Sequence, residues 1–191
     1  MAPSGFLGLT VGEWLEALAA ADPVPGGGSA AALTGATAAA LVAMTARLSP
    51  DWNEASGVAA QAIKLRGRLA GLAQVDAEVY AESLAALADK RPEPDERRDF
   101  ALGTKLDLAA EIPLQIAHAA ADTALLAADA TEHVVPALQP DTHAAAALAA
   151  AAAEVAARLV EVNLVMTAED PRVRGARRAA DEAAAAVQSA R

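Results

Sequence analysis

Residues 30–46, AAALTGATAAALVAMTA, carry no charge, and their apolar side chains fall on every side of a helix rather than along one stripe. A helix of that kind is a buried one. The pattern predicts a central helix over about 30–48, with other helices packed around it. Small residues (Ala30, Ala31, Gly35, Ala38, Ala39) allow close approach. Pro25 and Gly26-Gly27-Gly28 break the chain just before it, and Ser29 is the candidate N-cap.

Elsewhere the apolar positions are one-sided. Thr10-Val11-Gly12-Glu13 reads as a capping box opening a short helix, with Trp14, Leu15 and Leu18 inward and an end near Asp22-Pro23. Ser49-Pro50 reads as the start of a long helix running to about 89. Its stripe is Leu65, Leu69, Leu72, Asp76, Val79, Ser83, Leu87, so a carboxylate stands where a leucine is expected. A fourth helix is predicted over about 95–134, with Leu102, Leu106, Ile112, Ile116, Leu125 and Leu126 as apolar positions and Pro113 as a kink. Asp141 or Thr142 is predicted to cap a fifth helix that reaches about Met166, with Leu148, Val155, Leu159, Val162 and Met166 inward. Asp170-Pro171 opens a last helix over about 171–188. With little strand patterning and no repeat, the prediction is all-α. It is one domain over 1–191, a multi-helix orthogonal or up-down bundle around the Ala-rich central helix.

Composition adds three things to this picture. Hydrophobic residues make up 54% of the chain but aromatics only 3%, so alanine builds the core and each residue buries little area. Many close helix contacts are then needed, and a homodimer is expected to supply more of them. The net charge of −10 argues against nucleic acid as a partner and against an anionic membrane surface. No cysteine is present, and the N-terminal MAPSGFLGLTVGEW lacks the basic region of a signal peptide. The 30–46 stretch approaches spanning length, but Ala, Gly and Thr are weakly hydrophobic and no basic or aromatic flank is present. It is read as the core of a soluble protein, and the expected location is cytoplasmic.

Asp76 is the first candidate for chemistry. Burial on an apolar stripe raises a carboxyl pKa, which suits acid/base work near neutral pH. Tyr80 lies one turn on. Gly26, Gly27, Gly28 and Ser29 form a loop whose backbone can approach a ligand at the positive end of the central helix. It lacks the Gly-Lys-Ser/Thr of a phosphate-binding loop and has no preceding strand. Asn163 is a polar side chain among Val160, Val162, Leu164 and Val165. It is read either as a helix tie or as a ligand contact, and Asp141 either as a cap or as a site residue. His118–Asp122 and Asp129–His133 read as exposed i,i+4 pairs. No metal-ligand spacing is present, so no metal is expected.

These residues, taken in order, resemble the formiminotetrahydrofolate cyclodeaminase / methenyltetrahydrofolate cyclohydrolase family. The resemblance starts with Pro25-Gly26-Gly27-Gly28-Ser29-Ala30-Ala31-Ala32 and Ala40-Leu41-Val42-Ala43-Met44. It continues through Asp76-Ala77-Glu78-Val79-Tyr80, Arg98, Ala110-Glu111-Ile112-Pro113-Leu114, and Asp141 and Asn163 with Glu154 between them, so it covers nearly the whole chain. It implies an all-helical dimer and one-carbon chemistry on a tetrahydrofolate derivative as substrate. In that reading Asp76 is the acid/base, and Gly26, Gly27, Gly28, Ser29, Tyr80, Arg98, Asp141 and Asn163 are substrate contacts. Gln74 stands where the family commonly has an acid, and Pro140 where it has a serine. The alternative is therefore a catalytically silent folate-binding or helical interaction protein of the same fold.

Overall fold

The computed structural model describes residues 5–88, 96–164 and 169–190; for residues 96–99, 101 and 102 it describes the backbone alone. Among the described residues six α-helices and no strand are present: α1 (Val11–Ala19), α2 (Gly27–Arg47), α3 (Ala55–Ala88), α4 (Glu96–His133), α5 (Gln139–Asn163) and α6 (Pro171–Ser189). Helices α2, α4 and α6 run one way, and α3 and α5 return between them. Side-chain bonds pin this up-down arrangement. Ser49, just past α2, accepts from Val135 N, just past α4, at 3.2 Å. Thr131 of α4 meets Thr142 of α5 at 2.8 Å.

Alanine sets the spacing. Along α5 the buried apolar residues are Ala145, Ala146, Ala149, Ala152, Ala153, Ala156, Ala157 and Val160, each at most 3% exposed. The large residues predicted to face inward do the reverse: Leu148, Val155 and Val162 are exposed, and Leu159 is half-buried. Helix separation follows the size of the side chains at the contact. Helix α5 packs against α2, α4 and α6 together, and at alanine spacing a leucine does not fit. Met166 lies outside the described residues. Helix α2 is the central helix expected; it is long and apolar enough to cross a membrane, yet 61% of that stretch is buried inside the fold.

Several helix ends differ from the sequence reading. Gly26 is the N-cap of α2, and Ser29 sits inside the first turn, fully buried, with Oγ donating to Ala73 O at 2.8 Å. Ser49 does not open α3, which starts at Ala55; its Oγ donates back to Thr45 O at 3.0 Å and closes α2. Neither Asp141 nor Thr142 caps α5, because the helix already begins at Gln139. The capping box on α1 is present as read, with Thr10 and Glu13 bonded reciprocally. Helix α1 nonetheless buries no residue: Leu15 is 58% exposed, while Trp14 and Leu18 are half-buried. The Asp170 cap and Pro171 at the head of α6 are also as read, with Asp170 accepting from Arg172 N at 2.8 Å.

Candidate active site

The first turn of α2, the later half of α3, the middle of α4 and the last turn of α5 enclose a cavity of about 210 Å³. Gly26, Gly27 and Gly28 form one wall, and Asp76, Tyr80 and Asn163 are the lining residues with polar side chains. Val79, Ile112, Leu159 and Val162 make the apolar side. Sequence reading brought the polar members together but missed the apolar wall. Its residues look like ordinary core in the pattern, and Val162 points outward on its helix.

Asp76 is held from behind. The single hydroxyl hydrogen of Ser29 is shared between Ala73 O at 2.8 Å and Asp76 Oδ2 at 3.1 Å. Burial pushes the carboxyl above its ordinary value, against the Ser29 hydroxyl and backbone N–H, which pull it down. Gly28 is required by this contact. A Cβ there would lie within 2.6 Å of Asp76 Cγ and Oδ2, on top of the carboxyl group. The glycine thus lets a carboxylate stand directly against the N-terminal turn of a helix, whose free N–H groups and dipole favour negative charge.

Asn163 donates from Nδ2 to Ala109 O at 2.5 Å and lines the cavity from α5. Tyr80 is 39% exposed at its rim. Gln74 faces elsewhere: its Oε1 accepts from Phe6 N at 3.0 Å and its Nε2 donates to Glu78 at 2.7 Å. Gly5, at φ 86°, brings the chain into this contact in a conformation that favours glycine. Gln74 therefore straps the N-terminal segment to α3 rather than lining the cavity.

Two of the predicted substrate contacts do not line the cavity: Ser29, which is fully buried behind Asp76, and Asp141. Asp141 sits in the first turn of α5 and Asn163 in the last, about 33 Å apart at ~1.5 Å per residue. The side chain of Arg98 lies outside the described residues. The arginines of α6 have acidic or carbonyl partners. Arg172 binds Asp170 and Asp107 at 2.9 and 3.0 Å, Arg174 reaches Glu169 O, and Arg177 binds the buried Glu161 at 2.6 Å. The Arg177 hydrogen bond holds Glu161 below the ordinary carboxylate range. Among the described residues no three His, Asp or Glu side chains converge in a group able to hold a metal.

The formiminotransferase-cyclodeaminase family profile matches residues 10–182, which takes in every element of the cavity. The chain belongs to this family. Its fold is that of the formiminotetrahydrofolate cyclodeaminase of Thermotoga maritima, to which it is 24% identical. The TM-score is 0.79, with 95% of this chain and 91% of that one covered. No curated protein sequence matches the chain. The family acts on tetrahydrofolate derivatives; in this chain the cavity is where a half-buried acid and an amide meet an open helix end.

Proposed function

We propose that this protein acts at the one-carbon bridge of a tetrahydrofolate derivative, as a formiminotetrahydrofolate cyclodeaminase or a methenyltetrahydrofolate cyclohydrolase. The observation that carries the reading is Asp76, a carboxyl raised by burial on the wall of a cavity that also holds the α2 N-terminus and Asn163. In the cyclodeaminase direction N10 attacks the carbon of the protonated formimino group on N5, an amidinium cation. The Asp76 carboxylate takes the proton from N10 and returns it to the amino group, and ammonia leaves with the C–N bonding pair. The product is the 5,10-methenyl cation, so charge and protons balance. In the cyclohydrolase direction water adds to the same carbon and Asp76 takes a proton from it. Asp76 then gives that proton to N5 as the C–N5 bond breaks, and the remaining hydroxyl proton leaves to solvent as the 10-formyl carbonyl forms. A carboxylate beside the carbon also stabilises the cation through which both routes pass.

The same reading includes a cytoplasmic homodimer. The support for the dimer is the uncovered apolar side of the fold, where Leu7, Val11 and Leu15 are 66%, 76% and 58% exposed. The second reading, a silent folate binder, is favoured by Gln74, which stands in place of an acid and is taken up by Phe6 and Glu78.

The test is an absorbance assay in both directions. Near-ultraviolet absorbance that rises with 5-formiminotetrahydrofolate marks the cyclodeaminase; absorbance of 5,10-methenyltetrahydrofolate that decays faster than in buffer marks the cyclohydrolase. Asp76→Asn is expected to lower the active direction about 100-fold or more. Neither change, with a rise in Tm on adding folate, establishes the silent binder. No turnover and no shift in Tm sinks the folate reading.

A further inference from the structure

Pro113 lies inside α4 and has no N–H. In an unbroken helix the carbonyl of Ala109 accepts from the N–H four residues on, which here is missing. Ala109 is buried, and a buried carbonyl needs a donor. Asn163 supplies it, across from another helix, through Nδ2. A carbonyl oxygen only accepts, so the amide must present its nitrogen to Ala109, and the orientation of Asn163 is fixed by chemistry. Its planar amide then turns Oδ1 away from that bond, and Oδ1 has no hydrogen bond among the described residues. Ala109, Pro113 and Asn163 all line the cavity.

We infer that Pro113 is a positioning residue. By withholding a helix N–H from Ala109, it makes that carbonyl the anchor of Asn163 and so presents Asn163 Oδ1 as a preset acceptor for an N–H or O–H of the substrate. This rests on the cavity being the folate site. The arrangement explains why a proline is tolerated in the interior of a helix that packs on both α3 and α5. The hydrogen bond that it removes from α4 is replaced by one that orients a cavity side chain.

Pro113→Ala separates this role from a structural one, because it restores the helix bond. The variant is expected to gain about 5 °C in Tm or more, since proline is poorly suited to a helix interior. At the same time Asn163 loses its anchor. In 15N NMR its side-chain amide signals, assigned by their absence in Asn163→Ala, should move toward free positions and lose protection from exchange. KM for the folate substrate that turns over should rise about tenfold, the effect of one misplaced hydrogen bond, with a smaller change in kcat. Adding Asn163→Ala to Pro113→Ala should cause no further loss. Amide signals unmoved by Pro113→Ala overturn the anchoring, whatever the ligand. Signals that move while KM stays within twofold overturn the acceptor role. If the wild-type protein neither turns over nor binds folate, the folate reading fails separately, and the NMR result still decides whether Pro113 sets Asn163.

Discussion

The two ends of the bundle use polar side chains in opposite ways. At the far end Ser49, Thr45, Thr131 and Thr142 are buried, and their hydroxyls are consumed within the fold. Ser49 bonds Thr45 O and Val135 N, Thr45 bonds Val42 O at 3.0 Å, and Thr142 donates to Gln139 O at 2.9 Å while meeting Thr131. His143 Nε2 is the exception, buried without a partner among the described residues. At the cavity end Asp76 has the Ser29 hydroxyl and room to accept more, and Asn163 uses its nitrogen and keeps its oxygen. Both ends place polar groups where helices terminate. Saturated groups hold helices together, and unsaturated ones facing a cavity are available to a ligand.

The largest break in that contrast is expected from Gly28→Ala. The new methyl group occupies the position of the Asp76 carboxyl, which must rotate away from Ser29 and out of the cavity wall. The carboxyl is the end of a side chain, so the fold should survive with unchanged circular dichroism. Turnover is expected to fall about 100-fold, toward that of a protein without its acid/base. A Gly28→Ala protein of wild-type activity would remove Asp76 from the chemistry.

The converse change belongs at the far end. Thr131→Val deletes a hydroxyl that lies 2.9 Å from Ala127 O and 2.8 Å from Thr142 Oγ1. It should destabilise the protein by about 1–2 kcal/mol in urea titration and leave kcat/KM unchanged. A loss of activity at equal folded fraction would mean that the two ends are coupled.

How much of this was legible in the sequence depends on what each residue answers to. The α1 capping box, the buried α2, Pro113 inside α4 and the Asp170-Pro171 start of α6 are local statements, and local chemistry states them. Asp76 was visible because a period of three and four leaves one position where only an apolar residue belongs. The faces of α5 were not, since a large side chain is normally the inward one. In a bundle spaced by alanine the rule inverts, and Leu148 and Val155 go outside. Ser29 was misread for a related reason. A serine after glycines is a good cap, but whether it caps or enters the helix depends on Ala73 and Asp76, more than forty residues away. Asp141 and Asn163 share a helix, and only its length shows that they belong to opposite ends.

The smallest effect expected, and the finest test of the cavity end, is Ser29→Ala. Burial raises the Asp76 pKa and the Ser29 hydrogen bond lowers it. Removing the hydroxyl takes away a donor that favours the ionised form, so the pKa of Asp76 should rise further. The proposed chemistry starts from the carboxylate, which accepts the proton from N10 or water. Activity therefore falls as pH drops through the pKa of Asp76. The acid limb of kcat/KM should lie above the range of an ordinary aspartate in the wild type. In Ser29→Ala it should move to higher pH, with the plateau on the alkaline side little changed. The direction is what matters: a general acid in the rate-limiting step would place the limb on the alkaline side and move it up as well, widening the active range instead of narrowing it. A limb that stays in place would show that the group titrating in turnover is one that Ser29 does not touch.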